Sequence, residues 1–284
     1  RRLLVLSSSV ITRCTSQPSQ SPVMTLDEST SSLRWKGDCP VSVLPPAHLG
    51  LGGQARDMAV LMGLNQNGQS INLSRALQDA GVITPEALDR RTHQSDSKLT
   101  FAQTFPTGNH ALWLYYWLAS QGIHPLRDVD SVVVPPPQMV EHLQAGRIDG
   151  FCVGEPWGAS AVSQHLGFTL ATTQAIWPDH PEKVLGCSLE FVQQYPNTAR
   201  ALVMAVLEAS RFIEQNMDNR RSTAQLLSAA EYVNAPVDAI ESRLVGEYDD
   251  GLGNRWTDHH AVSFHRLVAN KPPGMKLFTG DEML

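Results

Sequence analysis

Short apolar segments alternate with helix-forming segments between Leu99 and Ser188, and this alternation restricts the fold more than any other feature of the chain. The predicted strands are Leu99–Thr104 and the segments SVVVP, RIDGFCVG, FTLATT and KVLGCS. The predicted helices are Asn109–Ser120, closed by Gly122, Pro136–Gln144 with proline in its first turn, and a segment starting near Pro156. Strands separated by helices of about 10 to 15 residues favour crossover connections, so we predict an α/β fold with a mostly parallel sheet.

The segments on either side of this alternation have other patterns. Residues 58–64 are typical of a buried strand, NQNGQ is typical of a turn, and Ser74 is a plausible helix N-cap. Four helical patterns follow Ser188, which itself resembles an N-cap. The longest of them carries an approximate apolar stripe, formed by Ala201, Val203, Val206, Leu207, Phe212 and Ile213.

This order of elements predicts two lobes. Residues 48–97 together with 188–284 are expected to form lobe I, and residues 98–187 are expected to form lobe II. Residues 1–47 are rich in Ser and Thr and keep neither a helical nor a strand period. We expect them to be an atypical segment, either disordered or mistranslated.

Charge and cysteine content exclude several classes of function. The formal net charge is −6 and no long Lys/Arg run is present, which argues against a surface for nucleic acid, because phosphate neutralisation needs clustered cations. The four cysteines form no CxxC pair, so the sequence predicts neither a zinc site nor a disulfide framework. No apolar run approaches the roughly 20 residues that a bilayer span needs.

The first residues, RRLLVLSSSVITRC, faintly resemble an export or lipoprotein leader. Their apolar part is short and interrupted by serines, and Thr12-Arg13 stands where small residues precede a lipidated cysteine. We therefore expect a cytoplasmic location, with a periplasmic or externally anchored protein as the alternative.

Polar residues follow several predicted strands, where open α/β sheets bind ligands. His110, Glu155 and Lys183 lie on three such segments, and Gln69 lies on the earlier turn. Helix N-terminal N–H groups, an imidazole, an amide and an ammonium together favour a small-anion site, with Glu155 orienting or neutralising a cation. Each residue also has a structural interpretation: a capping histidine, a solvated lysine, a turn glutamine and a helix-start acid.

Enzyme interpretations have less support. The chain carries no GxSxG, P-loop or GxGxxG motif. Cys152 could act as a nucleophile with a distant histidine, but its DGFCVG context favours a strand core. The DHH segment at 258–260 could bind a metal, but it lacks helical i, i+4 spacing and is more typical of a solvated loop. An interaction protein without a ligand is a further alternative.

Four segments resemble the nitrate-binding branch of the ABC-transporter solute-binding proteins: LNQNGQSI, TFAQTFPTGNHALWLYYWLASQGI, VVVPPPQMVEHLQAGRIDGFCVGEPWG and IWPDHPEKVLGCSLEFVQQYPNTARAL. The resemblance covers roughly residues 48–260. It implies a two-lobed fold of the type II periplasmic-binding-protein kind that closes over a planar anion without catalysis or a cofactor. The branch also includes bicarbonate-binding relatives and a cytoplasmic nitrate/nitrite sensor.

The resemblance also implies roles for individual residues and partners. Gln69, His110 and Lys183 match the family's ligand-binding glutamine, histidine and lysine, and Pro136 is expected to line the pocket. Nitrate, nitrite and bicarbonate stay open as ligands. The partner is expected to be either an ABC permease and ATPase, for a transport subunit, or an antiterminator-type regulator, for a sensor.

Both ends of the chain depart from the family pattern. Residues 1–47 match none of the strand, helix and tryptophan-containing segment with which the family's first lobe opens. The last residues, RLVANKPPGMKLFTGDEML, lack the expected aromatic ending. We therefore expect lobe I to be incomplete at its N-terminus.

Overall fold

A computed structural model describes residues 55 and 57–264, together with the backbone of two short strands between residues 24 and 35. The rest of residues 1–47, predicted to be atypical, lies outside the described residues, as does the end of the chain from residue 265. The strands are β1 Met24–Asp27, β2 Ser32–Trp35, β3 Met58–Asn67, β4 Gln69–Ser74, β5 Thr100–Gln103, β6 Asp130–Val133, β7 Gly150–Gly154, β8 Gly167–Thr172, β9 Pro181–Ser188, β10 Glu247–Asp249, β11 Arg255–Thr257 and β12 Val262–Ser263. The α-helices are α1 Arg75–Asp79, α2 Pro85–Gln94, α3 Asn109–Ser120, α4 Met139–Gln144, α5 Trp157–Ser163, α6 Thr173–Ile176, α7 Leu189–Gln194, α8 Pro196–Gln215, α9 Met217–Leu227 and α10 Val237–Val245.

Five strands form the central sheet, in the order β6-β5-β7-β4-β8. β5 runs parallel to β6 and β7, whereas β4 runs antiparallel to β7 and β8. The predicted α/β fold is confirmed, but the sheet is mixed rather than mostly parallel, because β4 is inserted antiparallel between β7 and β8 and two of the four strand pairs are antiparallel.

Both faces of this sheet are covered. Phe101 and Cys152 belong to the apolar cluster that α3 completes, whereas their neighbours Ala102 and Phe151 belong to a second cluster with α4, α5 and α10. Successive residues of a strand point to opposite faces, so burial on both faces favours apolar residues at consecutive positions. This accounts for the apolar run of β7, whereas β4 is equally buried and satisfies its polar side chains internally: Asn72 donates to Ser70 Oγ and accepts from the Thr169 hydroxyl.

A second sheet joins distant parts of the chain, in the order β12-β3-β9. β3 pairs antiparallel with β9, from Met58 opposite Ser188 to Gln66 opposite Pro181. The chain leaves β3 for the central sheet at Asn67 and Gly68, whose φ angles are 59° and 89°. Glycine and asparagine adopt this left-handed conformation at low cost, so the predicted turn is reduced to these two residues.

The predicted lobe boundary near residues 97–98 stays a prediction. The hydrogen bonding places β4 in the same sheet as β5 and β7, all of which pack around one core. We therefore propose that the unit containing residues 98–187 also includes Gln69–Ser74, with β3 and β9 as the strands that enter and leave it.

Several predicted helices are confirmed by their local caps. α3 spans the predicted Asn109–Ser120, and Gly122 follows it with a φ of 86°. Ser74 and Ser188 both cap helices, since their hydroxyls accept hydrogen bonds from the backbone N–H groups of Leu77 and Phe191.

Two helix predictions need correction. The helix predicted from Pro136 begins as a 3₁₀ turn, Pro136–Gln138, and becomes α-helical only at Met139. The predicted stripe of α8 includes Ala201, which is exposed, whereas Val206 and Ile213 are buried. Among the described residues, no helix has the length and apolar content needed to cross a bilayer.

Candidate anion site

Four chain segments meet at one edge of the central sheet. The parallel strands β5, β6 and β7 end there, and Gln103 is the register partner of Val133. The antiparallel strand β4 begins there, since its first residue, Gln69, is opposite Gly154 at the end of β7. Four of the residues predicted to bind the ligand begin or follow these strands: Gln69, His110, Pro136 and Glu155.

His110 lies in the first turn of α3 and is buried. Its Nδ1 is 2.6 Å from the hydroxyl of Thr104, and its Nε2 is buried with no hydrogen-bond partner among the described residues. Burial and the positive charge of Lys183 lower the pKa of His110 from 6.5 to about 3, although Glu182 opposes this shift. The imidazole is therefore neutral at physiological pH.

Lys183 comes from β9 in the other sheet and is also buried. Its ammonium forms an ion pair with the carboxylate of Glu182, and its backbone N–H donates to Asn65 Oδ1 at 3.2 Å. The structural interpretation of Lys183 as a solvated charge is therefore wrong. Asn109, the residue before His110, donates to the backbone carbonyl of Glu182, which brings the start of α3 beside the Glu182–Lys183 pair.

Glu182 has no exposed surface and was missed by the sequence interpretation. Burial raises the pKa of its carboxyl, but the charge of Lys183 and the hydrogen bond with its ammonium lower that pKa below its ordinary value, so the carboxylate is ionised. Asn109, at the start of α3, donates to the Glu182 backbone carbonyl at 3.1 Å and approaches its Oε2 at 3.4 Å. These contacts hold β9 against the end of the central sheet.

Gln69 is buried, and neither its amide oxygen nor its amide nitrogen has a hydrogen-bond partner within the described part of the chain. Its backbone carbonyl accepts from the hydroxyl of Thr173 at 3.3 Å. An unpartnered buried amide is costly, at about 1–3 kcal/mol per lost hydrogen bond. A polar ligand at this edge would supply the missing partner.

Pro136 is buried at the start of the 3₁₀ turn. The segment leading to it is fixed by a hydrogen bond from Val134 N to Gln103 O at 3.0 Å. The geometry is compatible with an apolar wall beside the cluster, and this role of Pro136 stays a prediction.

Glu155 is engaged by other protein groups. Its carboxylate accepts from the Ser70 hydroxyl and from the Ala159 backbone N–H, each at 3.0 Å. Arg243 Nε lies 3.1 Å from Glu155 Oε1, and both side chains are buried. Glu155 thus has the cation neighbour that its predicted neutralising role requires, and this cation is Arg243.

Cys152 is fully buried in β7, opposite Ile71. Burial, and secondarily the charge of Glu182, raise the pKa of its thiol. A nucleophilic cysteine needs the opposite shift, so the structure disfavours Cys152 as a catalytic residue.

Three contributors to the cluster were absent from the sequence interpretation: Thr104, Asn109 and Glu182. Asn109 and Glu182 directly precede His110 and Lys183 in the sequence. Thr104 lies at the start of the turn that leads to His110. The available signal was the PEK triplet, in which an acid directly precedes the candidate lysine.

Residues 42–228 match the sequence model of the NMT1-like family. The chain belongs to this family. It is 39% identical over 218 residues to the nitrate/nitrite binding protein NrtA of Synechocystis sp., an alignment that covers 77% of this chain and 49% of NrtA. It is 42% identical over 205 residues to the nitrate import ATP-binding protein NrtC of Synechocystis sp., covering 72% of this chain and 30% of NrtC.

The fold is similar to the crystal structure of the periplasmic nitrate-binding protein NrtA from Synechocystis PCC 6803. The TM-score is 0.75 and the identity 32%, over 83% of this chain and 62% of that one. These comparisons confirm the resemblance seen in the motifs, and the match is consistent with a two-lobed fold. The chain spans about half the length of the NrtA sequence that it matches.

The expectation of a cytoplasmic location is wrong, because the solved relative is a periplasmic protein. That expectation was based on the short, serine-interrupted apolar run at residues 1–14, and such a run is weak evidence of location.

Proposed function

We propose that this chain binds nitrate at the edge of the central sheet, as the solute-binding part of an ABC-type importer. The observation that carries the proposal is that buried polar atoms of His110 and Gln69, unpartnered among the described residues, lie at the sheet end where Asn109 holds the Glu182–Lys183 pair. Nitrate is a planar monoanion whose oxygens accept hydrogen bonds from several directions, and an imidazole N–H, an amide and an ammonium supply donors of this kind.

The names of the relatives support the choice of ligand and partners. NrtA is named for nitrate and nitrite, and NrtC is named for nitrate import and ATP binding. We propose a permease and an ATPase as partners on this basis, with nitrite as a second ligand. The name of NrtC is that of an import component, which supports the importer rather than an antiterminator-bound sensor.

Calorimetric titration with nitrate, nitrite, bicarbonate, sulfate and chloride tests the proposal. Nitrate is expected to bind selectively and to raise the melting temperature, with a gain of about 2.7 kcal/mol at 100 times the dissociation constant. Equal affinity for all five anions, or binding of none, would contradict a specific site.

A double variant, Glu182→Gln with Lys183→Met, locates the site. It replaces a buried ion pair by a neutral pair of similar volume, so we expect the fold to persist. Nitrate binding should fall below that of Glu182→Gln alone by about ten- to a hundredfold, because the charge-assisted hydrogen bond from Lys183 contributes about 1.5–3 kcal/mol. Lys98→Ala, at an exposed lysine, is the matched control and should bind as the parent does.

A further inference from the structure

Glu182 and Lys183 are consecutive in β9, yet their side chains meet. In a regular strand they would point to opposite faces of the sheet. The pairing of β3 with β9 shows why they do not: Gln66 is opposite Pro181 and Asn65 is opposite Lys183, so the register skips Glu182. A bulge of this kind places an extra residue in one strand and turns its side chain, and bulges are frequent beside functional sites.

The bulge places an acid inside a site built to hold an anion. Glu182 and Lys183 are both buried, and their formal charges cancel. His110 and Gln69 add no charge, since burial keeps the imidazole neutral. The cluster of protein side chains is therefore formally neutral, and its lysine already has a carboxylate partner.

We propose that Glu182 is an internal counter-ion that competes with the bound anion for Lys183 and thereby sets the affinity of the site. This inference rests on the proposed nitrate site. An incoming anion must share or displace the carboxylate, and it adds a negative charge to a buried cluster without excess positive charge. Burial of uncompensated charge is unfavourable, so the carboxylate weakens anion binding.

The Glu182→Gln substitution tests this role, because glutamine keeps the size of the side chain and an acceptor for Asn109 while removing the charge. Nitrate should bind at least about tenfold more tightly to this variant, because the bound nitrate becomes the counter-ion of a Lys183 that has lost its carboxylate partner. Glu182→Asp keeps the negative charge, so it should bind nitrate more weakly than Glu182→Gln does. Glu190→Gln, at an exposed glutamate in the first turn of α7, is the matched control.

Removing the carboxylate also leaves Lys183 without its buried partner, so Glu182→Gln should be less stable than the parent when empty. Nitrate titration followed by circular dichroism gives a result even if this variant is partly unfolded, since the ligand should restore the folded signal. A larger nitrate-induced rise in melting temperature than in the parent is expected.

Unchanged or weaker nitrate binding in Glu182→Gln, or no recovery of its folded signal with nitrate, would overturn the counter-ion role. If the parent binds nitrate in that case, only this inference fails. If neither protein binds nitrate, the proposed function fails with it.

Discussion

The hydrogen bond between Thr104 and His110 decides which imidazole nitrogen can act at the candidate site. The hydroxyl lies 2.6 Å from Nδ1, and the other nitrogen is buried and unpartnered among the described residues. If the hydroxyl donates to Nδ1, the proton of the neutral ring must reside on Nε2. A neutral histidine then presents an N–H donor to an oxyanion, and the positive charge comes from Lys183.

Thr104→Val should therefore weaken nitrate binding, while Thr104→Ser should preserve it. Loss of one neutral hydrogen bond costs about 0.5–1.5 kcal/mol, or a few-fold to about tenfold in affinity. The ¹⁵N chemical shifts of His110 report the tautomer directly in the unliganded protein. A proton on Nδ1 in the parent, or equal nitrate affinity in the valine variant, would refute this assignment.

The neutral His110 also has a consequence for acid stability. Its folded pKa of about 3 lies below the ordinary 6.5, so the unfolded chain binds the proton more readily. The contribution of the neutral imidazole to the free energy of unfolding is fully present above pH 6.5. It is lost as the pH falls toward 3, at up to about 1.4 kcal/mol per pH unit.

His110→Gln should flatten the dependence of unfolding free energy on pH between 6.5 and 4.5. Glu182 contributes in the same direction only at lower pH, because its pKa is lowered from 4.5. Urea unfolding at a series of pH values provides the measurement. The same slope in parent and variant would show that His110 is not buried in its neutral form.

At the level of elements, the contact between β4 and α5 holds the site edge in place. Gly158 of α5 packs directly on Ser70 and Asn72, and a Cβ there would lie 2.5 Å from Ser70 Oγ and 2.9 Å from Asn72 Oδ1. Ser70 is also the residue that donates to Glu155. α5 can approach β4 this closely only because residue 158 is glycine, whose side chain is a hydrogen atom.

Gly158→Ala should destabilise the protein by about 1–3 kcal/mol through overpacking, despite the better helix propensity of alanine. Gly63→Ala is the control, because a Cβ at Gly63 meets nothing within 4 Å. Denaturant unfolding of both variants measures the difference. Equal stability of the two would show that the β4–α5 contact relaxes without cost.

Across the whole molecule, one buried arginine joins distant segments. Arg220 of α9 donates to the backbone carbonyls of Leu244 and Val262, and its guanidinium pairs with Glu214 of α8 at 2.6 Å. Glu214 in turn accepts from the backbone N–H of Phe264 at 2.6 Å. Three helices and β12 are thereby fixed together, and β12 pairs with β3 beside the central sheet.

Arg220→Met should lower the free energy of unfolding by about 3–5 kcal/mol, since it leaves Glu214 and two buried carbonyls without their partner. Arg211→Met, at an exposed arginine of α8, should have little effect. Thermal or urea unfolding distinguishes the two variants. A small loss in Arg220→Met would mean that water replaces the guanidinium.

Features that depend on neighbouring residues could be predicted from the sequence. The bounds of α3 and the capping roles of Ser74 and Ser188 follow from hydrogen bonds within a few residues. The central strand β7 is recognisable for a similar reason, since burial on both of its faces gives a continuous apolar run, Gly150–Gly154. Motif resemblance added the family and the candidate residues.

Features that depend on pairing between distant segments were decided only by the tertiary structure. The antiparallel insertion of β4 and the pairing of Glu155 with Arg243 join residues far apart in the chain, and the bulge that turns Glu182 toward Lys183 arises from the pairing of β9 with the distant β3. Strand register and ion-pair choice are selected by packing against remote partners, and periodicity within a segment carries no information about them. The sequence thus determined the elements and the residue types available for an anion site. The fold determined which charges meet there.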